Sequence, residues 1–328
     1  MEFSEVCGHQ GIKQLLTTAL QTGHIGHAYL FEGPDGVGKY SMASAFAAAI
    51  VGGKSERHPD IITVTNQLYD ENKKQENLLV DTIRQMRKDV YIMPYTAARK
   101  VYILPHADSM NTEAQNSLLK VFEEPPAYCT IVLLAENANA LLPTIRSRAV
   151  LVHFHPLPPE EVEAYLLSHT ALEPAAAALK ARMSDGCIGR ALTLAEDAAA
   201  DALRQELLAA VTNLCEGGNR PLYDFVLLLK KNKDALPLLF AVLRSWFRDV
   251  LHIKQLGKTA EVINADQREA LLLFCSKITR AAAYACLAAT AKYERIIAAN
   301  ANYPIAVLCM ATEYWEEIHG RNYRSTIQ

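Results

Sequence analysis

The chain has 328 residues, of which 50% are hydrophobic and 21% are charged, and its formal net charge is −3. This composition excludes an intrinsically disordered chain and a small disulfide-stapled fold, and the length fits two domains or three small ones. The sequence contains no apolar run of about 18 residues, so it predicts no membrane span. Residues 1–6 lack the features of a signal peptide, and we therefore expect a cytoplasmic protein.

Charge and cysteine spacing restrict the possible partners further. A protein that binds DNA by itself is more often basic, because phosphate neutralisation dominates such affinity. This chain has 33 basic and 36 acidic residues, so it is not basic overall. The seven cysteines are scattered and form no C-x-x-C pair, which a four-cysteine zinc site would need. The sequence therefore predicts no metal centre.

In the first 155 residues, short apolar runs alternate with helical patterns. Because most of these runs are continuous, they are typical of strands in a parallel sheet with helices on both faces. The predicted strands are 28–31, 61–64, 101–104, 131–134 and 149–154. Residues 66–77 are polar and predict a surface loop. Residues 112–115 (Thr-Glu-Ala-Gln) form a capping-box pattern, which predicts a helix that ends before Pro125.

Beyond residue 155 the pattern is helical. Pro156, Pro158 and Pro159 mark a boundary, and no convincing strand follows. Short helices up to about residue 200 predict a small helical lid. Longer amphipathic helices are predicted at 201–215, 221–230, 234–256, 265–293 (with a break near Lys277) and 304–319. The predicted domains are an α/β domain at 1–156, a helical lid at 157–200 and an all-α domain at 201–328.

A glycine-rich loop between the first predicted strand and the next helix is the strongest local motif. It runs Gly33-Pro-Asp-Gly36-Val-Gly38-Lys39, and Tyr40 follows it. Glycines let backbone N–H groups converge on phosphate oxygens, the helix adds its positive N-terminal end, and the lysine adds a charge. The motif predicts contacts to a nucleotide phosphate from Gly33, Gly36, Gly38, Lys39 and the Tyr40 position.

The motif lacks the groups that hold magnesium. A working loop places Ser or Thr after the lysine, where the hydroxyl binds Mg²⁺, but here Tyr40 occupies that position. Acidic residues should follow the third predicted strand to orient the metal and the attacking water, and Pro105 and His106 stand there instead. We therefore expect a phosphate-loop fold without ATP hydrolysis. The sequence leaves open whether ATP or ADP binds without being hydrolysed.

Several blocks of the sequence occur in the same order as in a known family. They are residues 3–10, 27–34, 58–61, 107–126 and 142–148, which include the Leu-Leu-Lys-Val-Phe-Glu-Glu-Pro-Pro run and Pro-Thr-Ile-Arg-Ser-Arg148. In these blocks the chain resembles the AAA+ clamp-loader subunits of bacterial DNA polymerase III, and among them the delta-prime subunits. The resemblance is dense up to about residue 154 and weaker beyond it.

The resemblance implies a place in a five-membered ring. Tau/gamma ATPase subunits and a delta subunit would be its neighbours, and the sliding clamp and primed DNA would be further partners. Arg148 would then reach the γ-phosphate held by a neighbour, where a fixed guanidinium can raise the rate about 10³- to 10⁵-fold. Arg190 would be a sensor of nucleotide in its own subunit or else a support of the lid. The other sensor position, at Ala135 or Glu136, lacks the usual small polar residue.

The helices after residue 201 resemble the collar that holds such a ring together. Trp246 is expected either in the core of this domain or on a surface between subunits. Many family members carry a four-cysteine zinc insert before the His58-Pro-Asp motif. Residues 50–58 of this chain are short and free of cysteine, so the comparison also implies no zinc.

Three functions have to be distinguished. The first is a clamp-loader subunit that hydrolyses no ATP and donates Arg148. The second is a self-sufficient ATPase in which Asp108 or Glu124 holds the metal. The third is an isolated DNA-binding module, which the balanced charge does not favour.

Overall fold

The structure, a computed structural model, describes residues 2–53, 58–70, 78–196, 198–299 and 301–320. The chain divides into two compact units. The first comprises Met1–His169 and Asp185–Arg190, and the second comprises Thr170–Ser184 and Ala191–Gln328. The division into three domains, with boundaries after residues 156 and 200, stays a prediction.

The first unit is built on a parallel sheet of five strands in the order β2-β3-β4-β1-β5. The strands are β1 (Ala28–Glu32), β2 (Ile61–Thr63), β3 (Lys100–Leu104), β4 (Cys129–Ala135) and β5 (Val150–His153). All five predicted strands are confirmed. In the sheet, Tyr29 of β1 lies level with Val150 of β5, and Glu32 lies level with His153.

The helices of this unit are α1 (Gln10–Thr22), α2 (Lys39–Val51), α3 (Asn66–Tyr69), α4 (Val80–Val90), α5 (Thr112–Glu123), α6 (Pro143–Arg146) and α7 (Pro159–His169). Of these, α1 and α2 pack on one face of the sheet, and α4 and α5 pack on the other. Neighbouring residues of β1 point to opposite faces, so Leu30 packs in the core beside α4 and α5 and Phe31 in the core beside α1 and α2. The predicted α/β class, a parallel sheet with helices on both faces, is confirmed.

Two local predictions in this unit need correction. The loop predicted at 66–77 begins with the helical turn α3, and residues 71–77 lie outside the described residues. The cap of α5 is Asn111, whose side chain accepts a hydrogen bond from the Ala114 N–H at 2.9 Å, and Thr112 is the first helical residue. Asparagine is as good a cap as threonine, so the pattern alone placed the start one residue late.

In the second unit, every regular element among the described residues is a helix. Its helices are α8 (Pro174–Met183), the greater part of α9 (Ile188–Glu196), α10 (Ala198–Asn213), α11 (Asn219–Lys231), α12 (Leu236–Leu256), α13 (Arg268–Lys277), α14 (Arg280–Ala298) and α15 (Tyr303–His319). The helices predicted after residue 201 are confirmed, and the predicted break near Lys277 separates α13 from α14.

The two tryptophans of the chain belong to this unit. Trp246 on α12 is fully buried in the core, where its ring centroid lies 5.8 Å from that of Phe274. Of the two places left open for Trp246, the core is therefore the correct one. Trp315 on α15 is partly buried, and its ring stacks on His319 with 3.9 Å between centroids.

A buried polar network joins α10 and α12 to the segment before α13. Arg204 donates to both carboxylate oxygens of Asp266 at 2.8 Å and to the Asn264 side-chain oxygen at 2.7 Å. Asn264 donates to Asp249 through its backbone and its amide, both at 2.8 Å. Arg204, Asp249 and Asn264 are buried. Because buried polar groups are costly unless they are bonded, these contacts favour one arrangement of the three elements.

A search of the described helices for membrane-spanning candidates finds none that is long and apolar enough by itself. Only the pair Ala265–Lys277 and Arg280–Ala298, bent by 114°, meets the length and composition together. Within that pair, Leu271, Phe274 and Ala283 are buried in the core of the second unit.

Candidate functional site

The phosphate loop connects β1 to α2, and its backbone requires glycine. Gly36 and Gly38 have φ angles of 75° and 111°, a region that residues with a Cβ rarely adopt. A Cβ atom at Gly33 would lie 2.5 Å from the carbonyl oxygen of Phe154. The three glycines therefore give the loop the shape that the motif predicts, and α2 begins directly after it at Lys39.

The ammonium of Lys39 lies within the loop. It donates hydrogen bonds to the carbonyl oxygens of Gly33, at 2.6 Å, and Pro34, at 2.9 Å, and the side chain is buried. Burial lowers the pKa of this ammonium, and nearby carboxylates, Asp35 foremost, oppose that shift. A phosphate bound in the loop would have to replace the two carbonyl groups as the partner of Lys39.

The Tyr40 hydroxyl points away from the loop. Tyr40 is 49% exposed, and its hydroxyl lies 3.3 Å from the hydroxyl of Thr63 at the end of β2. Since β3 and β4 separate β2 from β1, the Tyr40 hydroxyl is directed toward the edge strand β2 and away from the strand that carries the loop. It therefore cannot take the place of the Ser or Thr hydroxyl that holds Mg²⁺ in a working loop.

The carboxylates considered as alternative metal ligands lie apart from each other. Asp108 follows β3, and its Oδ2 accepts the backbone N–H groups of Glu136 and Asn137 at 2.9 and 3.2 Å. Glu124 lies at the other end of α5, a helix of 12 residues and so about 18 Å long. His106, which precedes Asp108, is in the left-handed region with φ 49° and begins a 3-10 turn. These positions give Asp108 a structural task, although its carboxylate lies near enough to Lys39 to oppose the lowering of the lysine pKa, and they put Glu124 at the far end of α5.

Arg190 lies beside the phosphate loop, at the start of α9. The Gly189 N–H donates to the carbonyl oxygen of Gly36 at 2.8 Å, and a Cβ at Gly189 would lie 2.9 Å from the Gly36 Cα. The Arg190 guanidinium forms an ion pair with Asp185 at 3.1 Å. The structure thus brings the backbone of this predicted sensor to the loop, with its side chain bound to a neighbouring carboxylate.

His9 also supports the loop, through a contact that no pattern in the sequence indicates. Its Nε2 is 2.9 Å from the carbonyl oxygen of Val37, and its ring lies edge-on to Phe154 with centroids 4.9 Å apart. Burial lowers the pKa of this imidazole, which favours a neutral ring that donates from Nε2. The contact joins residues that are distant in sequence, so periodicity and motif spacing contain no signal for it.

Arg148 lies between α6 and β5, with its guanidinium at the protein surface. Its Nη1 donates to the carbonyl oxygen of Thr144 at 3.1 Å, and its Nη2 is 3.8 Å from Oε1 of Glu123. The Arg148 side chain is 38% exposed. Arg146, two residues earlier, instead donates to Asn139 at 2.6 Å. Of the two arginines in this motif, Arg148 is the more exposed one.

The register of the sheet places Arg148 far from the loop of its own subunit. Arg148 precedes Val150, which lies level with Tyr29, whereas the loop begins at Gly33, after the end of β1. Four residues of strand span about 13 Å, and Arg148 lies at the amino end of that span. The two predicted phosphate contacts, Lys39 and Arg148, therefore lie at opposite ends of the strands β1 and β5.

The described residues contain no group of three or more His, Cys, Asp or Glu side chains that could hold a metal ion. Residues 54–57, within the short segment before His58, lie outside the described residues. The absence of zinc stays a prediction.

Residues 8–158 match a family model described as DNA polymerase III, delta subunit. The chain is similar to the gamma/tau subunit of DNA polymerase III from Mycobacterium tuberculosis (strain ATCC 25618 / H37Rv), with 31% identity over 175 residues, 50% of this chain and 30% of the relative. It is also similar to the delta' subunit from Bacillus subtilis, with 32% identity over 190 residues, 53% of this chain and 55% of the relative. It thus spans about a third to a half of the length of these relatives.

Among solved structures, a DNA polymerase III gamma subunit-related protein from Thermotoga maritima matches with a TM-score of 0.49 and 19% identity. That match covers 92% of this chain and 99% of the other.

Proposed function

The chain belongs, through residues 8–158, to the family of DNA polymerase III clamp-loader subunits, and on this premise we propose that it is a delta-prime-like subunit that donates Arg148 to a neighbouring ATPase. In this proposal the chain hydrolyses no ATP itself. Its partners are the tau/gamma ATPase subunits and a delta subunit in a five-membered ring in the cytoplasm, and the ring loads the sliding clamp on primed DNA.

The position of Arg148 is the observation that carries this proposal. Its guanidinium is exposed, has only a carbonyl and one distant carboxylate as described partners, and lies at the opposite end of the strands from Lys39. Since the side chain of an arginine cannot cross that span, Arg148 does not reach a phosphate held in its own loop, which favours a nucleotide on another molecule. There it would stabilise the charge that develops on the transferred phosphoryl group.

The phosphate loop supports the part of the proposal that excludes hydrolysis. Tyr40 directs its hydroxyl to Thr63, and Asp108 binds the backbone after β4. Tyr40 thus directs its hydroxyl away from the place of the magnesium ligand in a working loop, and Asp108 is already engaged with the backbone. The glycines and Lys39 could still hold the phosphates of ATP or ADP, with Arg190 beside them, so the proposal allows a bound nucleotide that is not turned over.

Replacing Arg148 in a reconstituted loader tests this function. In a loader whose only intact ATPase site is the one next to this subunit, we expect Arg148→Ala to lower the DNA- and clamp-stimulated rate by about 10³-fold. Arg148→Lys should recover little, because lysine lacks the planar fork. Lys120→Ala, which removes an exposed positive charge from α5, is the control and should leave the rate unchanged.

Two results would contradict the proposal. One is an unchanged rate with Arg148→Ala. The other is ATP turnover by the isolated chain that is lost on chelation of magnesium and in Lys39→Ala, since that would establish the self-sufficient ATPase.

A further inference from the structure

We propose that Glu123 is a positioning residue that aims the Arg148 guanidinium toward the neighbouring nucleotide. This inference rests on the proposed function of Arg148. It assigns a task to a glutamate that touches neither nucleotide nor metal and that acts only through the arginine.

Two acceptors contact the two terminal nitrogens of the guanidinium. The Thr144 carbonyl oxygen accepts from Nη1 at 3.1 Å, and the Glu123 carboxylate lies 3.8 Å from Nη2. The first contact is a hydrogen bond and the second is a longer ion pair, and together they favour one orientation of the planar fork. The Arg148 side chain is 38% exposed, so a phosphate can approach the guanidinium from solvent.

The segment that carries Arg148 is itself fixed to α5. Near the start of that helix, the Gln115 side chain accepts from the Leu142 N–H at 2.7 Å and donates to the Ala140 carbonyl oxygen at 3.1 Å. Glu123 is the last residue of the same helix. Gln115 thus sets the position of α6, and Glu123 acts on the side chain that extends beyond it.

The charges around the guanidinium favour this placement. Glu123 lies at the C-terminal end of α5, where unpaired carbonyl groups form the negative end of a 12-residue helix. A cation is stabilised at such an end, and the carboxylate adds to the effect. Both effects favour the observed orientation of the arginine before any phosphate arrives.

Because both side chains are exposed, the ion pair between Glu123 and Arg148 is weak enough for a phosphate to replace the glutamate. The Glu123 side chain is 55% exposed and that of Arg148 38%. An exposed ion pair of this kind is worth no more than about fivefold in an equilibrium constant. A phosphate dianion, which offers three oxygens, can therefore take Arg148 from Glu123 at little cost.

The next residue provides a matched control. Glu124 is also exposed and carries the same charge, but no contact between it and Arg148 is found among the described residues. A general effect of negative charge at this end of α5 would be the same for both glutamates. A positioning effect belongs to Glu123 alone.

The experiment measures ATP turnover at the neighbouring site in the reconstituted loader with Glu123→Gln, Glu124→Gln, Arg148→Ala and the double variant Glu123→Gln/Arg148→Ala. We expect Glu123→Gln to lower kcat by about two- to fivefold with KM for ATP unchanged, and Glu124→Gln to have no effect. In the Arg148→Ala background, Glu123→Gln should cause no further loss, because its effect passes through the arginine.

The inference is overturned if Glu123→Gln and Glu124→Gln behave alike, if only KM changes, or if Glu123→Gln lowers kcat equally with and without Arg148. Each of these results leaves the proposed function standing as long as Arg148→Ala is impaired. An unimpaired Arg148→Ala loader overturns the function itself. Both glutamates are exposed, so the thermal melts of the variants should match that of the native chain, which separates lost positioning from lost folding.

Discussion

Asp60 is a buried carboxylate that fixes the segment before β3 through hydrogen bonds to its backbone. The side chain is fully buried and accepts hydrogen bonds from the backbone N–H groups of Tyr95, Thr96 and Ala97 at 2.6 to 2.9 Å. Burial alone would raise the pKa of this carboxyl, but these bonds outweigh it and hold the pKa at about 2, against an ordinary 3.8. The charged form is therefore the one that the fold requires.

The stability of the chain should depend on this charge. Since the folded pKa is depressed, the carboxylate contributes its full stabilisation above pH 3.8 and loses it as the pH falls toward 2. We expect Asp60→Asn to lower the free energy of unfolding at neutral pH by about 2 kcal/mol. Urea unfolding at several pH values should show the gap to the native chain closing below pH 4. Asp81→Asn, at an exposed aspartate, is the control, and an equal loss there would contradict the prediction.

At the scale of elements, the junction of the phosphate loop and α9 depends on close backbone contact. Gly189 is the second residue of α9, and a Cβ there would lie 2.9 Å from the Gly36 Cα. Gly11 is the second residue of α1, and a Cβ there would meet nothing within 4 Å. Both glycines are the second residue of a helix, but Gly189 is tightly packed against the loop and Gly11 has open space around it.

Alanine at these two positions should therefore shift stability in opposite directions. Gly11→Ala should raise the free energy of unfolding by up to about 1 kcal/mol through helix propensity. Gly189→Ala should lower it by about 1 to 3 kcal/mol, because the added methyl group forces the loop and α9 apart. Denaturant titration of both variants tests this, and a gain in stability with Gly189→Ala would show that the contact is not tight.

The elements were more predictable than the contacts between them. Continuous apolar runs and the glycine motif gave the five strands and the loop, because burial on both faces and close phosphate approach each leave a local pattern. The turn α3 was missed because four residues are too few for a helical period. The contacts of His9 with Val37 and of Glu123 with Arg148 join distant parts of the chain, so no local pattern indicates them.

At the scale of the whole molecule, the two units have separate hydrophobic cores. A defect in the polar network of the second unit should therefore act locally. Asn264→Ala would remove one hydrogen bond from Arg204 and one from Asp249, which are buried, while Asp266 and the backbone N–H groups of residues 263 and 264 remain as partners. We expect a loss of about 2 kcal/mol, because hydrogen bonds to buried charged groups are lost and a cavity is left.

Amide hydrogen exchange shows where that loss occurs. Asn264→Ala should reduce the protection of α10, α12 and α13, while the strands β1, β3 and β4 should keep theirs. Asn213→Ala, at an exposed position of the second unit, should alter neither. An equal loss of protection in the sheet would contradict the independence of the two cores.

The location of both tryptophans in the second unit has a practical consequence for spectroscopy. Indole emission from the native chain reports on the helical unit alone, and Trp315 is further subject to quenching by the imidazole stacked on it. A denaturation curve followed by that signal would describe one half of the protein. An indole introduced by Tyr40→Trp, at an exposed site next to the glycine loop, would add a fluorophore to the other half and allow ligand titrations to be read there directly.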